Sequence, residues 1–248
     1  MIRIFKYETK RLLLNKFFIG LCVINCAFAW YTLTSGTIAG IAHTAPFSPW
    51  SFGAYLASVM PISILTVLFL LGFFYSKKEK QTAALTAAAP VDPARYALIR
   101  LAVAALGFVF ICTLTAAMCI IFYAIFFNYW DFSVFLLPAL LTILPCFVFF
   151  LGAGNLLGRI HTGLLYGLML ITFAMSFIPM SGALSFIGVF GGNFYAAFPL
   201  SLPPGADGDP AFTLSAAFLV MRAVYFALGA CFFAISVYRA PGKTATGK

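Results

Sequence analysis

Acid is what this chain has least of: six aspartates and glutamates stand in 248 residues, against fifteen lysines and arginines and two histidines. No two carboxylates fall together inside an apolar segment, which removes paired-carboxylate acid–base chemistry and carboxylate proton relays. His43 and His161 lie in connections that the topology below puts on opposite sides of a membrane, so they cannot share a site. Neither G-x-S-x-G nor H-E-x-x-H occurs. Gly242-Lys243-Thr244 resembles the end of a phosphate-binding loop, but Val237 occupies the position where its first glycine belongs, and no helix-forming stretch follows. A solvated basic tail accounts for it better. The formal charge of +9 has no basic run interleaved with stacking aromatics, which speaks against a nucleic-acid partner. All six cysteines (22, 26, 112, 119, 146 and 231) sit in apolar segments rather than loops, which argues against a disulfide framework. Cys22 and Cys26 share a helix face at i, i+4, yet no histidine or carboxylate stands near to complete a metal site.

What the chain has in excess is oil. Hydrophobic residues make up 63% and aromatics 18%, more than one soluble core of this length can bury. Apolar runs long enough to cross about 30 Å of hydrocarbon recur, and without water each run must satisfy its own backbone as a helix. The expected fold is an all-α integral membrane protein, a single transmembrane domain over residues 1–248. Six spans are expected near Phe17–Ser35, Gly53–Tyr75, Leu98–Phe127, Phe132–Leu157, Gly163–Phe190 and Phe212–Val237.

Basic residues orient it. Five stand before the first span (Arg3, Lys6, Lys10, Arg11, Lys16), five in the second connection (Lys77, Lys78, Lys80, Arg95, Arg100), one in the fourth (Arg159) and three after the last span (Arg239, Lys243, Lys248). The first, third and fifth connections have none, and their only charges are Asp131, Asp207 and Asp209. The positive-inside rule therefore expects both termini in the cytoplasm. Ala27-Phe28-Ala29 imitates a signal-cleavage site, but the apolar run continues well past a signal core, so an uncleaved first span is expected. Before it, Ile2, Phe5, Leu12 and Leu13 share one helix face beside a basic face of Arg3, Lys6 and Lys10. The expectation is an interfacial helix, apolar side in the acyl boundary and basic side toward anionic lipid.

The fifth connection is broken by Pro179, Gly182, Gly191, Gly192, Pro199, Pro203, Pro204, Gly205 and Gly208, yet stays apolar. Short helices that dip into the outer leaflet or pack against the spans are expected there. Arg222 is the one charge set inside a span, where a lone arginine costs about 2.5–3.5 kcal/mol on insertion scales. It either snorkels to headgroups or binds a helix-end carbonyl, or it faces a translocation path or dimer seam. Prolines 61, 138, 145 and 179 interrupt spans, and Gly152, Gly154 and Gly158 permit close helix approach.

The wettest stretch, SKKEKQTAALTAAAPVDPARY at 76–96, holds six of the chain's twenty-one charges. After Lys77-Lys78-Glu79-Lys80 comes a small-residue helix from Gln81 to Ala88, stopped at Ala89-Pro90. Asp92 and Pro93 then suit the N-cap and first position of a helix entering the third span. A short helix with a small, mostly uncharged face and a fixed turn looks made to dock. Here the sequence resembles the permease subunits of type 2 ABC exporters, through Glu79, Gln81-Thr82, Leu85-Thr86, Pro90-Val91 and Arg95-Tyr96 in that order. It departs by carrying alanine at 87–89 and a lysine-rich lead-in.

That resemblance implies a bacterial cytoplasmic-membrane protein whose connection between spans two and three is a coupling helix seated on a separate ABC-type ATPase subunit. Glu79, Gln81, Thr82, Leu85 and Thr86 would touch the ATPase, with Arg159 and His161 forming a second contact. A second permease subunit, identical or not, would complete the route. This chain would be no enzyme and hold no cofactor; ATP and Mg would bind in the partner. The implied activity is export of an amphiphilic or hydrophobic substrate. A membrane scaffold or sensor that moves nothing is the alternative.

Overall fold

In the computed structural model the described residues are 2–36, 39–76, 79, 93–178, 185–205 and 208–238. Among them there is no strand. The helices are α1 (Ile2–Leu13), α2 (Lys16–Ser35), α3 (Pro49–Phe74), α4 (Pro93–Phe127), α5 (Leu136–Ile160), α6 (Thr162–Met175), α7 (Gly192–Ala197) and α8 (Ala216–Tyr238), with single 3-10 turns at Ser133–Phe135 and Pro199–Ser201. Five of them, α2, α3, α4, α5 and α8, are long and apolar enough to cross a membrane. This is the architecture of a multi-pass membrane protein.

Local chemistry sets several of the starts. The Asn15 side chain accepts the backbone N–H of Phe17 at 3.1 Å and opens α2. Ser48 does the same for Ser51 at 3.1 Å, with Pro49 at the first helical position of α3, where its missing N–H costs nothing. His161 caps α6 by accepting from the Gly163 N–H.

The fifth expected span differs most from the sequence reading. Helix α6 has 14 residues, about 21 Å, short of the hydrocarbon thickness. It ends before Pro179, whose ring disfavours helical geometry in the residue ahead of it. When the chain is next described, at Ser185, it is irregular. It then forms α7, which lies against α3 and α8: Tyr195 fills the space left by Gly53, and Phe194 stacks on Phe218 with centroids 3.9 Å apart. Among the described residues of this connection, α7 and the 3-10 turn at Pro199–Ser201 are helical, and α7 packs against the long helices.

Helix α3 is the axis. Its apolar window is 72% buried, against 17% for α8, and its residues from Trp50 to Phe74 touch α2, α4, α5, α6 and α7. An apolar helix buried nearly all round is a core helix. Polar side chains cross-link it: Asn25 of α2 donates to Thr66 at 2.9 Å and accepts from Ser63 at 3.0 Å, and Tyr55 donates to the Thr115 carbonyl of α4 at 2.8 Å.

Helices α5 and α8 approach most closely. A methyl group placed on Gly152 would lie 2.2 Å from the Gly229 carbonyl oxygen, and one on Gly229 would lie 2.5 Å from the Phe149 backbone. Gly154 and Gly158 make room for Leu68 and Tyr75, so all three glycines singled out in the sequence serve close packing.

Helix α1 corrects one expectation. Leu12 is buried, Phe5 and Leu13 pack on the core, and Leu13 reaches Gly107 of α4, so the apolar side rests on protein rather than in the acyl boundary. The reason is Glu8, which shares that side and finds its partners there.

Alanine at Gly152 or Gly229 overpacks a backbone contact and should destabilise by roughly 1–3 kcal/mol, lowering the apparent melting temperature in detergent by several degrees. Alanine at Gly20 or Gly167, each with open space around it, should leave it level or slightly raised.

Candidate functional site

Of the five residues of the second connection expected to meet a partner, only Glu79 is described; Gln81, Thr82, Leu85 and Thr86 lie outside the described residues. Glu79 turns toward the protein. Its carboxylate pairs with Arg11 of α1 at 3.2 Å and with Arg100 of α4 at 3.3 Å. Arg11 also pairs with Glu8 at 3.0 Å, and Glu8, 1% exposed, accepts the Tyr96 hydroxyl at 2.9 Å. Arg100 lies 4.2 Å above the Phe74 ring at the end of α3. Among the described residues, two acids and two bases thus form a cluster that joins α1, the chain just after α3 and the foot of α4. Burial by itself would lower the Arg11 pKa, but Glu8 and Glu79 outweigh it and hold the guanidinium above its ordinary value.

Arg159 and His161 sit at the same end of the bundle, joined to it through Tyr75: Thr162 donates to the Tyr75 carbonyl at 3.1 Å, and Tyr75 donates to the Asn155 carbonyl at 3.2 Å. Arg159 points inward and donates to the Ser236 carbonyl of α8, while Asn155 donates to the Ser236 hydroxyl at 2.6 Å. His161 is exposed, with Nδ1 committed to the α6 cap. The structure therefore brings Glu79, Arg159 and His161 to one end, and both charged side chains are held by their own fold.

At the opposite end stands Arg222, 2% exposed. Its two terminal nitrogens donate to the Gly188 and Val189 carbonyls, and its guanidinium lies 4.7 Å from the Phe218 ring centroid. Tyr225 donates to the Ile187 carbonyl, and the Cys146 thiol to that of Val189 at 2.9 Å. Three successive carbonyls of irregular backbone are thus satisfied from α5 and α8. Sequence reasoning singled out Arg222 but missed Tyr225 and Cys146. The signal for them was indirect: a broken apolar segment must borrow donors from its neighbours. The same end is tied across loops, with Asp209 accepting the Ala45 N–H at 2.9 Å and the Trp50 indole donating to the Pro210 carbonyl at 3.1 Å.

Beside the segment that Arg222 holds lies a cavity of about 410 Å³, bounded by Phe28 of α2, Pro61 of α3, Phe173 and Phe177 at the end of α6, and the segment from Gly188 to Asn193. Its walls are mostly apolar. Ser58 and Ser176 are on its lining, but each hydroxyl bonds a carbonyl of its own helix, at 2.9 Å to Ala54 and 2.6 Å to Phe173. Such a space favours an apolar or amphiphilic occupant over a charged one.

Compared with protein-family models, with curated proteins and with solved structures, the chain matches none.

Replacing Arg222 with leucine strands the buried Gly188 carbonyl, at a cost of about 1–3 kcal/mol, and leaves that of Val189 to the weaker Cys146 thiol alone. Amide exchange across 185–198, followed by mass spectrometry in detergent, should accelerate by about tenfold or more. Unchanged exchange would mean that aromatic packing alone holds the segment.

Proposed function

We propose that this chain is the membrane-spanning permease subunit of an ATP-driven exporter. It works in the bacterial cytoplasmic membrane with both termini inside, pairs with a second permease subunit, and moves an amphiphilic or hydrophobic cargo outward. A separate ABC-type ATPase binds ATP and Mg and hydrolyses the nucleotide. The fifth of six crossings is α6 with the chain that follows it.

The observation that carries this reading is the cluster around Glu79. A connection that only satisfied topology would need no anchoring, yet this one begins in an ion cluster shared with α1 and α4. Glu79, at the start of that connection, is fixed to α1 and α4. Load applied there passes into α3, the buried axis that touches the cavity and α7. The inward-facing Glu79 carboxylate makes this residue the anchor of the docking segment, leaving Gln81, Thr82, Leu85 and Thr86 to meet the ATPase beside His161. Arg222 and Tyr225 close the far end by holding 187–189, and the apolar cavity suits the cargo class.

A tagged chain purified from its native membrane should bring down an ATPase in stoichiometric amount, and inverted vesicles should accumulate an amphiphilic fluorophore only with ATP. Leu85→Arg should abolish the association, and Glu79→Ala should weaken coupling of hydrolysis to transport by about tenfold, equivalent to about 1.4 kcal/mol of lost charge-assisted pairing. Association that survives Leu85→Arg overturns the docking assignment. Stable partners with no ATP-dependent movement would leave the scaffold reading in its place.

A further inference from the structure

Helix α1 sorts its charges. Arg3, Lys6, Tyr7, Lys10 and Leu14 fall at i, i+3, i+4, i+7 and i+11, and all five are exposed, Tyr7 at 63% and Leu14 at 68%. The single acid of the helix, Glu8, is turned to the opposite side, against Arg11 and Tyr96. The outward face is left with three cations and no acid, interleaved with an exposed aromatic and an exposed leucine.

The position of this face follows from chain geometry. Only Leu14 and Asn15 separate α1 from α2, a helix long and apolar enough to cross a membrane, and Phe17 in its first turn is 43% exposed. So short a joint keeps α1 at the level where α2 enters the bilayer. There, cations meet phosphate oxygens while tyrosine and leucine reach the acyl boundary. An acidic protein surface would match the cations but would leave Leu14 and Phe17 without apolar cover.

We propose that the outward face of α1 binds anionic phospholipid of the surrounding bilayer, and that its occupancy is transmitted through Arg11 to Glu79 and the foot of α4. Arg11 is the link because it contacts Glu8 on its own helix and Glu79 on the connection, at 3.0 and 3.2 Å. A lipid that fixes the height and rotation of α1 also fixes these pairs. Glu79 and Arg100 then hold the start of the connection and of α4 in one geometry. The relay lies within this chain and stands whether or not an ATPase docks beside it.

The full-length protein in nanodiscs of phosphatidylcholine, with or without phosphatidylglycerol, tests both parts. Retained lipid is counted by mass spectrometry, and amide exchange is followed across 93–100. Wild type should retain phosphatidylglycerol preferentially, and an Arg3→Gln, Lys6→Gln, Lys10→Gln triple variant should lose that preference by about tenfold or more. An Arg3→Lys, Lys6→Arg, Lys10→Arg variant should keep it. Phosphatidylglycerol should slow exchange at 93–100 several-fold in wild type, and Arg11→Gln should lose that slowing while keeping the lipid. Equal retention by wild type and the Gln triple variant overturns the binding surface. Undiminished slowing in Arg11→Gln overturns the relay. A Gln triple variant that keeps its lipid but sheds a co-purifying protein would assign the face to a protein partner instead.

Discussion

A backbone that leaves water carries its donors and acceptors with it, and in an apolar bundle nothing but the protein can answer them. The regular helices meet this demand internally. The stretch from Ile187 to Val189 does not, and its three carbonyls are met by Tyr225, Arg222 and Cys146 from two neighbouring helices. The charge that looked most expensive in the sequence is therefore a donor placed where irregular backbone needs one. Desolvating the guanidinium and desolvating the carbonyls are separate costs, and each offsets the other only because they meet.

The same accounting explains the polar groups along the spans. Asn25 with Ser63 and Thr66 joins α2 to α3, and Asn155 with Ser236 and Tyr75 joins α5, α8 and α3. Each cross-link ties an outer helix to the axis or to its neighbour. Between them the contacts are glycine to backbone, at Gly152 and Gly229, or ring to ring, as between Phe108 and Phe147, 4.4 Å apart at an interplanar angle of 5°. With lipid tails as apolar as leucine, helix association rests on such close packing and on hydrogen bonds. At the basic end, where water is near, ion pairs take over the task. Glu8, Arg11, Glu79 and Arg100 hold a surface helix, a connection and a long helix together. In the exporter reading, that is where mechanical work would be received, and α3 would distribute it.

Much of the fold was legible along the chain, because apolar length and helix-stopping residues are local quantities. The five long helices fall within a few residues of their expected limits. The three glycines of α5 were read for close approach, and the broken segment after α6 for short packed helices. Less legible was anything that depended on which face meets which neighbour. Helix α1 showed an apolar and a basic side in sequence, and its apolar side was expected in lipid; the position of Glu8 among the apolar residues was the overlooked sign that this side meets protein. Glu79 read as a solvent-facing contact, since two arginines sixty-eight residues before it and twenty-one after it have no local signature.

By itself the sequence determined the class of the molecule: long apolar helices, a basic bias on alternate connections, and no assembly of catalytic side chains that spacing could reveal. These follow from composition and period, which every segment carries within itself. Only the tertiary structure decided that α3 is the axis, that Arg222 serves the carbonyls of 188 and 189, and that Arg11 bridges Glu8 and Glu79. The physical reason is range. Hydrophobic burial is nearly indifferent to the partner and leaves its mark on each stretch alone, whereas a hydrogen bond or ion pair has value only at about 3 Å from one particular group, and which groups come that close is settled when the helices pack.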